Sequence, residues 1–132
     1  MENKYKVAVY GSLRKGLYNH YLMSHSDFIK TVSVEVPFKM ISMSDRYPAL
    51  IPTKENNLVV FELYKIDDKT ARNLDILEGY PDFYSKKYIK IEDEDYLVYY
   101  LSPLKITNEE EVVKSGDWTE FKHKKLSTNK ES

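Results

Sequence analysis

The run of residues 58–64 constrains the fold most strongly, because it is apolar at nearly every position. A strand with one exposed face alternates apolar and polar residues, whereas a strand covered on both faces is apolar throughout. The run is also rich in β-branched and aromatic residues, which favour strands. We therefore predict that residues 58–64 form a central strand of a sheet.

A second strand pattern, residues 5–10, has apolar side chains on both of its faces and ends at Gly11. Residues 11–16 then form a predicted turn, which contains two of the four glycines of the chain. Residues 17–23 follow with the spacing of a short helix. The sequence thus predicts a strand, a glycine loop and a helix in that order.

The period of the apolar residues changes from two to that of a helix after residue 66. Asp67 or Asp68 supplies an N-cap, Gly79 ends the helix, and Pro81 prevents its continuation. The predicted apolar side of this helix consists of Ala71, Leu74 and Leu77.

The remaining patterns are mostly strands. Residues 84–91 and 96–101 predict an antiparallel hairpin across an acidic turn. Residues 27–43, which contain Pro37, predict two short strands or one strand broken at an edge position or bulge. We therefore predict an α+β fold, with a small, mostly antiparallel and barrel-like sheet flanked by short helices. Residues 1–122 form the predicted domain, and residues 123–132 a disordered C-terminal tail.

Composition excludes several classes of function. Twenty Lys and Arg balance 21 Asp and Glu, so no strong global field attracts nucleic acid or anionic lipid. The chain has no cysteine, no apolar run long enough to span a membrane and no signal-peptide pattern at its N-terminus. Its three histidines lack the spacing of a metal site. We expect a cytoplasmic protein without a metal, nucleic acid or membrane partner.

Glu78 is the candidate catalytic residue. Its helical azimuth lies inside the apolar stripe, so its carboxyl group is expected to face the sheet, and it lies at the negative end of the helix dipole. Both features raise the pKa of a carboxyl group and suit it to general acid/base catalysis. The alternative is that Glu78 turns to solvent or pairs with Lys86 or Lys87. Glu62, in the central strand, is a second carboxylate that could partner Glu78.

The loop after the first strand is the candidate binding element. Consecutive backbone N–H groups of Gly11, Ser12 and Leu13 can form a concavity that binds an anion, although a plain tight turn is the alternative. Ser12 lacks the sequence frame of a nucleophile elbow. Tyrosine hydroxyls need polar partners when buried, so a polar pocket is expected to include some of Tyr5, Tyr10, Tyr47, Tyr84, Tyr88 and Tyr100.

Five segments occur together in a recognisable order: residues 10–16 (YGSLRKG), 47–50 (YPAL), 62–64 (ELY), 74–80 (LDILEGY) and 115–118 (SGDW). With Tyr84, they make the chain resemble the gamma-glutamylcyclotransferase-like family, which includes the avirulence-induced-gene-like proteins. The resemblance covers about residues 6–121. It implies a small mixed β-barrel whose cavity lies between the first-strand loop and the helix that carries Glu78.

The resemblance also implies a reaction. A γ-glutamyl amine or γ-glutamyl amino acid cyclises when its α-amine attacks its side-chain carbonyl, releasing 5-oxoproline and a free amine. Glu78 would be the general acid/base, while Gly11, Ser12 and Leu13 bind the glutamyl group and Tyr10 and Tyr84 wall the pocket. No cofactor or metal is implied, and the partner is the small-molecule substrate of a monomer or homodimer.

Two positions depart from the family pattern. Phe61 replaces a usual glycine and is expected to narrow or reshape the cavity, and Lys86 replaces a frequent arginine, losing a bidentate carboxylate contact. A noncatalytic module that binds a small metabolite in the same cavity is the alternative function. A third possibility is a protein-interaction domain that uses exposed tyrosines.

Overall fold

The computed structural model describes residues 2–106 and 110–131, with side chains as far as Leu126. One six-stranded sheet organises the fold. Its strands are β1 (Tyr5–Val9), β2 (Asp27–Met43), β3 (Tyr47–Ile66), β4 (Ser85–Ile91), β5 (Glu94–Tyr100) and β6 (Glu111–Val112). They lie in the order β4-β5-β1-β3-β2-β6, so β3 is interior, as predicted for its apolar second half.

The sheet is mixed but mostly antiparallel, and it curls into a half-barrel. Only the β1–β5 pair among the described strands is parallel. The strands β2 and β3 form one long hairpin, whose register shifts between Val36 and Phe38. Between the pairs that Val36 and Phe38 form, β2 contributes only Pro37, which lacks the N–H that a regular ladder requires, whereas β3 contributes residues 53–56, so the interruption is a bulge of β3 opposite Pro37. The predicted α+β class and antiparallel β4–β5 hairpin are confirmed.

Two α-helices cover the sheet, α1 (Asp68–Leu77) and α2 (Trp118–Glu131). Asp67 caps α1, because its carboxylate accepts a hydrogen bond from Thr70 N at 2.8 Å. The prediction of a helix over residues 17–23 is wrong in its first half. Turns occupy residues 17–19, and a single 3-10 turn, His20–Met23, follows.

Side chains on the two faces of the sheet form two apolar layers. Alternate residues of β1 divide between them. Val7 and Val9 belong to the layer that includes Leu74 of α1, whereas Ala8 belongs to the layer that includes Trp118 and Phe121 of α2. Within the described residues, no helix is long and apolar enough to cross a membrane. The helix α2 includes residues 123–131, and the assignment of residues 123–132 to a disordered tail stays a prediction.

Candidate active site

A cavity of about 350 Å³ opens between the loop that follows β1 and the C-terminal end of α1. Its walls are mostly apolar or aromatic. Glu78 is the only Asp, Glu, Lys, Arg or His among the described residues that line it. The full lining is Ala8, Val9, Tyr10, Gly11, Ser12, Leu13, Asn19, Tyr47, Pro48, Leu77, Glu78, Phe83, Tyr84 and Tyr99.

The cavity brings together every residue that the sequence analysis selected for the site: Tyr10, Gly11, Ser12, Leu13, Glu78 and Tyr84. Sequence reasoning missed Asn19, Phe83 and Tyr99. Tyr99 lies in a predicted strand, but the pattern of that strand does not indicate which of its two faces is turned to the cavity. Of the other tyrosines proposed for a pocket, Tyr47 lines it, whereas Tyr5, Tyr88 and Tyr100 do not.

Hydrogen bonds hold the loop after β1 by its carbonyl groups. The carbonyl oxygens of Gly11, Ser12 and Leu13 accept, at 2.9–3.0 Å, from Arg14 N, Asn19 N and His20 Nδ1 respectively. No acceptor for the N–H groups of Gly11, Ser12 and Leu13 occurs in the part of the chain that the structure describes. A loop fixed through its carbonyls with free N–H groups at a cavity is suited to bind an anion.

Gly11 allows this loop to approach the opposite wall. A Cβ atom at this position would lie 2.9 Å from Cγ and 3.0 Å from Cδ of Pro48, closer than ordinary carbon contacts. The Pro48 carbonyl in turn accepts a 2.7 Å hydrogen bond from the Tyr84 hydroxyl, which restrains this wall. The absence of a side chain at Gly11 therefore sets the distance between the loop and the wall.

A buried ionic cluster anchors the same loop from outside the cavity. Glu62 accepts hydrogen bonds from Arg14 Nε at 3.1 Å, Lys15 N at 2.9 Å and the Tyr64 hydroxyl at 2.9 Å. Arg14 also donates to Asp117 at 2.9 Å. Glu62 and Arg14 are both buried. Glu62 is thus a partner of Arg14, and the idea that it partners Glu78 is wrong.

The backbone at the end of α1 fixes the position of Glu78. Glu78 is the C-cap, and the following Gly79 adopts a φ of +63°, which reverses the chain. Gly79 N donates to Ile76 O and Tyr80 N donates to Asp75 O, the two hydrogen bonds of a Schellman motif. The left-handed glycine ends the helix so that Glu78 lies at the cavity wall.

The Glu78 side chain is partly buried and has no hydrogen bond or ion pair with any residue that the structure describes. Burial raises its pKa to about 7, because a carboxylate is less well solvated there than in water. The suggested pairing with Lys86 or Lys87 is not formed. Lys86 Nζ binds Asp75, and Lys87 Nζ lies over the rings of Phe38 and Tyr100.

Three tyrosines wall the cavity while their hydroxyls bind elsewhere. The Tyr10 hydroxyl donates to Tyr99 O at 2.7 Å, that of Tyr84 to Pro48 O, and that of Tyr99 to Asp75 Oδ1 at 2.6 Å. Burial raises the pKa of all three hydroxyls, which therefore stay protonated at neutral pH. The rings shape the cavity and the hydroxyls join its walls.

Phe61, which was expected to narrow or reshape the cavity, is not among the residues that line it. It is fully buried behind Tyr10, with its ring edge-to-face to the Tyr10 ring at 6.0 Å. Phe61 therefore supports a wall residue from the core. Among the described residues, no three His, Asp or Glu side chains gather as metal ligands do.

Comparisons with known proteins identify the family of the chain. The model of a family described as "Gamma-glutamyl cyclotransferase, AIG2-like" matches residues 7–120. The chain therefore belongs to this family of gamma-glutamylcyclotransferase enzymes.

Individual relatives extend the comparison. A Methanocaldococcus jannaschii protein named "Putative gamma-glutamylcyclotransferase" is 32% identical over 88% of this chain and 97% of its own length. A zebrafish protein, "Gamma-glutamylaminecyclotransferase C", is 32% identical over 65% of this chain and 61% of its own. An uncharacterised protein from Pyrococcus horikoshii shares the fold, with a TM-score of 0.77, 18% identity and coverage of 94% and 98%.

Proposed function

We propose that the protein converts a γ-glutamyl amine or γ-glutamyl amino acid into 5-oxoproline and a free amine. The observation that carries this proposal is one cavity that contains a partly buried carboxylate and three backbone N–H groups, none of which has a hydrogen-bond partner among the described residues. Such a cavity supplies a base and an anion cradle. Membership of the family and the name of the zebrafish relative support the same reaction class.

The reaction needs no nucleophile from the enzyme. The α-amine of the glutamyl group attacks its own δ-carbonyl carbon, and the new C–N bond closes a five-membered ring. The α-ammonium first releases one proton to solvent, and as the resulting neutral amine attacks, Glu78 accepts the second proton that its nitrogen loses. The bond between the δ-carbon and the leaving nitrogen then breaks, and Glu78 returns the proton to that nitrogen. The carboxyl group is unchanged after the cycle.

The N–H groups of Gly11, Ser12 and Leu13 complement this proton transfer. The substrate carries an α-carboxylate. In addition, the oxygen of its δ-carbonyl group becomes negative when the amine attacks. Backbone N–H groups stabilise both charges without a proton change of their own. Because their carbonyls are already bonded within the loop, these groups need little rearrangement to receive the substrate.

The direct test is release of 5-oxoproline by purified protein. A panel of γ-glutamyl amines, γ-glutamyl amino acids and glutathione would be assayed by mass spectrometry for both 5-oxoproline and the free amine. Equal amounts of the two products from at least one substrate class are expected. Binding of these compounds without product across the panel would contradict the proposal and favour the metabolite-binding module.

The rate is expected to depend on the ionisation of Glu78. Its pKa is raised from 4.5 to about 7, so the carboxyl group is protonated, and inactive as a base, as the pH falls below 7. We expect kcat to fall about tenfold for each pH unit below this pKa. A pH–rate profile measures this, and a flat profile from pH 5 to pH 8 would contradict it.

Replacing Gly11 by Ala is expected to lower kcat/KM by about 10- to 100-fold, since a displacement near 1 Å at a reacting centre costs up to that factor. The new Cβ would push the loop away from Pro48. Gly16→Asn is the matched control, because asparagine tolerates the φ of +81° and no atom lies within 4 Å of the new Cβ. Equal kinetics for the two variants would refute this role of Gly11.

A further inference from the structure

Asp75 occupies the centre of a polar cluster beside the cavity. It precedes Glu78 by three residues in α1, so the two side chains lie on the same face of the helix. Its Oδ1 and Oδ2 lie 2.8 and 2.9 Å from Lys86 Nζ. Oδ1 also accepts the 2.6 Å hydrogen bond from the Tyr99 hydroxyl. One carboxylate thus binds a cation of β4 and a hydroxyl of β5.

The position of Lys86 matters for Glu78. Its ammonium group lies over the ring of Tyr80, 4.2 Å from the ring centroid. Tyr80 is two residues beyond Glu78 in the chain. Lysine has a flexible four-carbon stem, and its ammonium group is stabilised by an ion pair when it is partly buried. Glu78, without a partner among the described residues, is the carboxylate next along the same helix face. Asp75 is what binds the lysine instead.

We propose that Asp75 is a positioning residue for Glu78: by holding the Lys86 ammonium and the Tyr99 hydroxyl, it keeps the cation off the Glu78 carboxylate. An ion pair with lysine would favour the charged form of Glu78 and weaken it as a base. Asp75 therefore preserves the proton affinity that the reaction requires. This inference rests on the proposed function, because the proton affinity of Glu78 matters only if Glu78 is a base. The pKa of Glu78 can be measured without any reaction.

The groups that face Glu78 make this assignment specific. The hydroxyls of Tyr10, Tyr84 and Tyr99 interact with Glu78 electrostatically, from the end of β1, the residue before β4, and β5 respectively. Burial keeps all three neutral. Asp75, three residues before Glu78, carries a charge and is paired with Lys86 of β4. Their ion pair has no net charge, so the burial of Glu78 dominates its titration.

The test is a titration of the Glu78 side-chain carbon by NMR in four proteins: wild type, Asp75→Asn, Lys86→Gln and the double variant. Asp75→Asn is expected to lower the pKa of Glu78 by about one unit, a tenfold loss of proton affinity, because Lys86 is released and one negative charge is lost. Lys86→Gln alone removes the same ion pair without freeing a cation, so the pKa should not fall. The double variant should restore the wild-type value.

These outcomes separate electrostatic positioning from a structural role. An unchanged pKa in Asp75→Asn, a fall in Lys86→Gln, or no recovery in the double variant would each overturn the inference. Thermal melting verifies that each variant is folded. If Asp75→Asn does not fold, the comparison of the Glu78 pKa between Lys86→Gln and wild type still tests the inference, because a fall in Lys86→Gln would overturn it. The titration needs no turnover, so it stands apart from failure of the proposed reaction.

Discussion

Glu78→Gln is expected to reduce kcat for 5-oxoproline release by about 10³-fold, within the 10²- to 10⁴-fold range of general acid/base catalysis. Glutamine keeps the size of the side chain and the shape of the cavity but cannot accept and return the proton. Because the Glu78 side chain has no hydrogen bond to a described residue, the substitution breaks no side-chain hydrogen bond among them. Steady-state kinetics on the best substrate of the panel measure the loss.

Asp68→Asn is the matched control for this variant. It makes the same kind of change in the same helix, but Asp68 lies in the first turn, outside the cavity. Its activity should remain within about twofold of wild type, as for a surface substitution. Glu78→Gln should still bind 5-oxoproline, because the loop N–H groups are untouched. A variant at Glu78 that keeps wild-type kcat would remove the base from the mechanism.

Glu62→Ala is expected to lower the free energy of unfolding by about 3–5 kcal/mol, the usual cost of leaving a buried charge without its partner. Arg14 would lose its buried carboxylate, and Lys15 N and the Tyr64 hydroxyl would lose their acceptor. Asp117 still binds Arg14 but is more exposed, which favours the lower end of the range. Urea unfolding monitored by circular dichroism provides the measurement.

An exposed ion pair gives the comparison. Asp95 binds Lys90 at 3.0 Å with both side chains more than 60% exposed, so Asp95→Ala should cost less than about 1 kcal/mol. The double variant Arg14→Met, Glu62→Leu should recover much of the loss of Glu62→Ala, because no buried charge remains. Similar costs for Glu62→Ala and Asp95→Ala would show that the buried cluster does not stabilise the fold.

The helix that carries Glu78 could be predicted from sequence because all its signals are local. An aspartate cap, the apolar period and a terminal glycine lie within 13 residues, and each confers a backbone preference by itself. The position of Glu78 inside the apolar stripe followed from the same period. The loop at Gly11 was predictable for the same reason, as a glycine turn directly after a strand.

The long β2–β3 hairpin was harder to predict because cross-strand pairing is not a local property. Residues 53–57 are polar and contain no strand period, yet they continue β3 beyond the predicted run. The pairing with β2 skips residues 53–56, because Val36 pairs with Asn57 and Phe38 with Pro52, so this part of β3 bulges out opposite Pro37. The periodicity of the sequence predicted only the apolar run of residues 58–64 within β3.

Contacts between distant side chains were also beyond the sequence. Lys86 was placed near Glu78 in the chain, but its choice of Asp75 depends on how β4 packs against α1. Glu62 was recognised as a buried carboxylate, and its true partner, Arg14, comes from a loop 48 residues away. A single sequence gives charge and burial, whereas the pairing depends on the tertiary fold.

The most direct test of the central claim is the reaction carried out in water enriched in ¹⁸O. Intramolecular attack uses no water, so mass spectrometry should detect unlabelled 5-oxoproline and an equal amount of free amine. Hydrolysis of the same amide would instead yield glutamate with one ¹⁸O atom. Unlabelled 5-oxoproline from wild type, lost in Glu78→Gln, is the result we predict; ¹⁸O-labelled glutamate as the product would contradict the account.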